Sequence, residues 1–236
     1  MKPIPTSVNW ILAGLLGAAV ALTALTGLGA DTASAWRDYA DGNYTKARTA
    51  LLPLAEAGDA AAANALGVLY ADGLAVKRDF RKAAEWYERA ARKGHGEALF
   101  NLGFLYYRGA DGLPADRQKA ALWLSRAADN GHAFAAALVG PLYGEGRDVA
   151  PNPSKATTYC LQGAEAGIAS AQYDMGMMQA AERSTESLVA AYTWFAIAAE
   201  AGYPGAARNR AIVGESLTDD EIARAEKAAE GWTLTR

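Results

Sequence analysis

One feature of this 236-residue chain limits its possible folds more than any other: the sequence repeats itself every 36 or 37 residues. The pair Leu-Gly or an equivalent recurs at Leu66-Gly67, Leu102-Gly103, Val139-Gly140 and Met175-Gly176. A second series runs Gly58, Gly94, Gly131, Gly167, Gly202, and an aromatic series runs Trp86, Trp123, Tyr159, Trp194. Three markers in phase are not produced by alanine-rich bias. A period of this size belongs to stacked supersecondary units, each too small to bury its own apolar face. Alternation of Val, Ile and Thr at period two is scarce, so the units read as helical.

Each unit reads as two helices. In the first, residues 61 to 70 carry Ala62, Leu66, Leu69 and Tyr70 at helical spacing, and Gly73 opens a turn. Asp79 is an N-cap for the second helix, since its carboxylate can accept from the exposed N–H groups. Asn43, Asp116 and Asn152 hold the equivalent place, and Pro153 follows at the first helical position, where a missing N–H costs nothing. The second helix carries Ala83, Trp86, Tyr87, Ala90 and Ala91, and Gly94 ends it. Small residues such as Gly67 let helices approach closely. Trp86 is expected in the core, where its truncation to Ala would cost about 3–5 kcal/mol.

The pattern Ala-x3-Leu-Gly-x-Leu-Tyr-x2-Gly, followed by Lys-Ala-x2-Trp-Tyr-x-x-Ala-Ala-x-x-Gly, resembles the Sel-one-like repeat family, a branch of the tetratricopeptide-like helical repeats. Residues 61–95 and 97–132 match it closely, 133–168 and 169–203 more loosely. The resemblance implies an α/α superhelical scaffold that bridges or regulates other proteins, with no shared catalytic residue and no cofactor. The expected fold is therefore an all-α solenoid of about four to five two-helix repeats with a C-terminal capping helix. Its expected boundaries are a targeting segment at 1–35, a partial repeat at 36–59, four repeats at 60–203 and a cap at 204–236. Gly140-Pro141 lies inside a first helix and is expected to kink it. Repeat four lacks the glycine turn, reading Ala180 to Thr185 instead. Thr218-Asp219-Asp220-Glu221 reads as a capping box opening the last helix, with Ile222, Ala225 and Ala229 on one face and Trp232 beyond.

The first 35 residues read differently. Between Lys2 and Asp31 there is no charge, and residues 8–30 are apolar or small. A cation, an apolar run and the A-x-A site Ala33-Ser34-Ala35 form the plan of a secretory signal, cut after Ala35. The run is also long enough for a retained anchor, which needs about 20 apolar residues. Either way the rest of the chain is expected outside the cytoplasm, in the periplasm or facing it from the inner membrane.

Charges are mixed and sum to −3, which argues against a nucleic-acid partner. Cys160 is the single cysteine, expected buried on a helix. His95 and His132, each just after a helix-ending glycine, are expected as exposed loop residues, and no zinc pattern accompanies them. No phosphate loop, G-x-S-x-G or H-E-x-x-H motif is present. No catalytic residue, cofactor or metal is therefore assigned. The first-helix residues Asn64, Phe100, Asn101, Phe104, Tyr107, Phe134 and Gln172 are the candidate contacts for a protein partner on the concave face, aromatics being favoured anchors. A monomeric exported scaffold is the expected function. The alternatives are an enzyme acting on β-lactams or cell-wall material and a glycan-binding module. A β-lactam-binding branch of the resembled family carries a disulfide in each repeat, which one cysteine cannot supply.

Overall fold

The computed structural model describes residues 30–234, and residues 1–29 of the targeting segment lie outside these. The described residues form twelve α-helices and no strand, with one isolated bridge between Ala110 and Leu113. The helices are α1 (Ala30–Ala40), α2 (Tyr44–Glu56), α3 (Ala60–Asp72), α4 (Phe80–Arg92), α5 (Gly96–Arg108), α6 (Arg117–Asp129), α7 (Ala133–Glu145), α8 (Pro153–Glu165), α9 (Ala169–Glu182), α10 (Thr185–Glu200), α11 (Ala206–Gly214) and α12 (Asp219–Leu234). None is long and apolar enough to cross a membrane.

Packing divides the chain into two compact units, one ending at Asp116 and one beginning at Arg117. In the first, α1 packs on α2, α2 on α3, α3 on α4 and α4 on α5. In the second, α6 to α10 pack in succession, and α10 also carries α11 and α12. Each unit is a run of helices packed on their chain neighbours, as expected of an α-solenoid. Helix α1 runs through Ala33-Ser34-Ala35, and Ala35 is fully buried.

The helix ends show why these segments stop where they do. Asp79 Oδ1 accepts from the N–H groups of Arg81 and Lys82, and Asn152 Oδ1 accepts from Lys155. Asn43 departs from expectation: its amide donates to Asp38 Oδ1 instead of capping α2. The two histidines depart as well. His95 and His132 are half-buried N-caps whose Nδ1 atoms accept from Ala98 and Ala135, both at 3.3 Å. They occupy the position that Asp59 fills at the start of α3, where its carboxylate accepts from Ala62. Burial lowers the pKa of His95, against the pull of Glu97 and Asp59, and so favours the neutral ring that can accept this bond.

The core column lies one residue beyond the aromatic markers. Trp86 is half-buried, with the Arg89 guanidinium 4.5 Å over its ring, whereas Tyr87 is completely buried. In the second unit Leu124, Cys160 and Phe195 hold the same repeat position, each at most 1% exposed. Trp86 therefore fills a flank, because adjacent residues on a helix point about 100° apart. The repeated Leu-Gly explains itself here. A Cβ on Gly67 would lie 2.5 Å from the Tyr87 ring, one on Gly140 2.5 Å from Cys160 Sγ, and one on Gly176 2.6 Å from the Phe195 ring. Glycine lets the next helix seat its largest side chain against the backbone.

Helix α7 continues through Pro141 to Glu145. At the end of α9 the turn glycine is replaced by Arg183, which takes the left-handed conformation at φ 59°, and Ser184 caps α10 by accepting from Ser187. The capping box of α12 forms as read: Glu221 Oε2 accepts from Thr218 N–H, and Thr218 Oγ1 from Glu221 N–H. Ala225 and Ala229 are buried, and Trp232 packs edge-on against Trp194 at 4.9 Å.

Candidate functional site

The seven candidate contacts sort by depth. Asn101 is 4% exposed and donates from Nδ2 to Asn64 Oδ1 at 3.2 Å, so the pair ties α5 to α3. Gln172 is 3% exposed and donates to the Ala164 carbonyl on α8. Asn101 and Gln172 are therefore packing residues, not surface contacts: both face the neighbouring helix, where a polar side chain must find a partner. Phe100 and Phe104 stack one turn apart at 5.6 Å, half-buried, with the Arg108 guanidinium over Phe104. Tyr107 is half-buried on the same helix. Phe134, at the start of α7, is 59% exposed. In the first unit, α5 thus offers a stacked aromatic pair. In the second, α7 offers one exposed ring.

Cys160 lies buried against Gly140, and its thiol is pushed up to about 12, by burial first and then by the Asp174 charge. That keeps it protonated near neutrality and a poor nucleophile. Asp174, on α9, has its carboxyl raised to about 6 by burial and by repulsion from Glu145. No group of three or more His, Cys, Asp or Glu side chains suited to a metal ion occurs among the described residues.

Known proteins place this geometry. The family model described as Sel1 repeat matches residues 60–95, 96–132, 133–168 and 169–203, more than half of the chain. The chain is similar to the crystal structure of a Sel1 repeat protein from Oxalobacter formigenes, with 26% identity, a TM-score of 0.66, 85% of this chain covered and 84% of that one. It also matches a protective antigen of uropathogenic Escherichia coli displaying an SLR fold, at 22% identity and a TM-score of 0.49. That match covers 95% of this chain but only 61% of the antigen. No curated protein matches.

Proposed function

This chain belongs to the Sel1 repeat family, and on that premise we propose that it is an exported scaffold that holds a protein partner at the cell envelope. The observation that carries this reading is Phe134, a large aromatic side chain left 59% exposed on a first helix. Isolated exposed apolar side chains are common, but an aromatic ring is a favoured interface anchor. The half-buried aromatic pair on α5 offers a second apolar surface. Export rests on the uncharged apolar run before Asp31.

A photo-crosslinking residue at Phe134 tests the scaffold, with Glu85, exposed on α4, as the control position. One dominant protein adduct at Phe134 and none at Glu85 is the expected result in native cells. The same products from both positions, or none from Phe134, would end the reading. Export is tested separately by fusing, after Arg236, a reporter that is active only outside the cytoplasm.

A further inference from the structure

The repeat supplies its own internal control for residues the fold does not need. In the first unit, an open cleft of about 540 Å³ is lined by Arg48 on α2, Tyr70 on α3, Lys77, Arg78 and Asp79 on the connection to α4, and Lys82 on α4. Four cations face one carboxylate in a chain whose net charge is −3. That carboxylate is already committed to capping α4, and it lies 3.9 Å from Lys82 Nζ.

Lys82 belongs to the repeat, since Lys46, Lys119 and Lys155 stand at the same position. The others do not. Arg48 stands where the later repeats have Ala84, Ala121 and Thr157. Lys77 and Arg78 stand where they have Pro114 and Ala115, or Ala150 and Pro151. The same helical hairpin forms without these charges; Arg78 donates to the Asp72 carbonyl at 3.3 Å within the connection, but among the described residues no such bond accounts for Arg48 or Lys77.

Two further observations favour a ligand. Arg48 is half-buried, and its Nε is buried with no hydrogen-bond partner among the described residues, so one N–H of the guanidinium is left without an acceptor. Ala75, also lining the cleft, is held in the left-handed conformation at φ 56°, a strain that ligand-holding loops carry more often than others. We infer that this cleft binds an oxyanion group bearing two or more negative charges, either phosphoryl groups or clustered carboxylates. Arg48 supplies a planar fork that matches such oxygens, while Lys77, Arg78 and Lys82 supply converging charge. The site is separate from Phe134 and stands whether or not that residue captures a partner.

Calorimetric titration of the full chain tests it, with inorganic pyrophosphate in one arm and a short Asp/Glu peptide in the other, at matched ionic strength. Saturable binding at one site is expected in at least one arm. Pyrophosphate binding identifies a phosphoryl ligand, and binding of the peptide alone identifies an acidic protein segment. Arg48→Gln should weaken binding about tenfold, and the exposed pair Lys77→Gln/Arg78→Gln should weaken it as well, so the test survives if Arg48→Gln fails to fold. Lys227→Gln, exposed on α12, should leave it unchanged. No binding in either arm, or equal weakening by Lys227→Gln, would overturn the inference.

Discussion

The first and fourth repeats build the same hairpin from different parts. In the first, Gly73 takes the left-handed turn after α3 and Asp79 caps α4 six residues later. In the fourth, Arg183 takes that turn and Ser184 caps α10 at once. Tyr87 fills the core against Gly67 in one, and Phe195 fills it against Gly176 in the other. Ala65 precedes the Leu-Gly pair in the first, where the fourth has half-buried Asp174. What the two share is a pair of helices joined through a left-handed turn residue, with an aromatic ring seated on a glycine; the length of the connection differs. Side chains vary wherever another residue can satisfy the same turn, cap or cavity, and each variation carries its own energetic cost.

The sharpest way to break the comparison is to empty the shared core position. Phe195→Ala should destabilise by about 3–5 kcal/mol, and Tyr87→Ala by a similar amount. Trp86→Ala should cost only roughly 1–2 kcal/mol, because that ring is half-exposed. Urea denaturation midpoints check this ordering. An equal loss for Trp86 and Tyr87 would return the tryptophan to the core.

Asp174 gives a smaller effect that depends on pH. Its carboxyl is raised from 3.8 to about 6, so the folded state holds the proton more tightly than the unfolded state. The stability this contributes is complete below 3.8 and is lost as pH rises through about 6. Asp174→Asn cannot ionise. It should therefore gain about 1 kcal/mol over the parent at about pH 8, a figure reduced for solvent screening, and the gain should vanish in acid. Thermal melts across this range read the difference, and a gain independent of pH would refute the assignment. Ala65→Asn in the first repeat has no carboxyl to replace and should show no pH-dependent gain.

The smallest effect is at the turn. Arg183→Gly should stabilise by roughly 0.5–1 kcal/mol, since glycine adopts φ 59° without a Cβ clash. Gly73→Ala should do the reverse. If Arg183→Gly destabilises instead, its side chain makes a contact worth more than the strain.

Much of this architecture was readable from residue types and spacing. Asp79, Asn152 and the Thr218–Glu221 box announce helix starts because their side chains bond to N–H groups two or three residues away. Other residues were misplaced for identifiable reasons. Periodicity alone did not separate Trp86 from Tyr87, since both lie within the broad apolar stripe of one helix. His95 and His132 stand in register with Asp59, a signal that was available, but histidine is an unusual cap. Asn101 and Gln172 carry polar side chains that suggested a surface, and their partners lie on other helices.

Local chemistry by itself determined the helical hairpins, their period, their ends and the family, because a turn, a cap or a helix-ending glycine depends on residues within a few positions of one another. Only the tertiary structure decided which of two neighbouring aromatics is core, that Asn101 and Gln172 are buried while Phe134 is not, and that Arg48 meets Lys77 and Arg78 at one cleft. Those outcomes depend on which helix packs on which face, and that is set by contacts between helices, from 8 positions apart for Gln172 and Ala164 to 37 for Asn64 and Asn101.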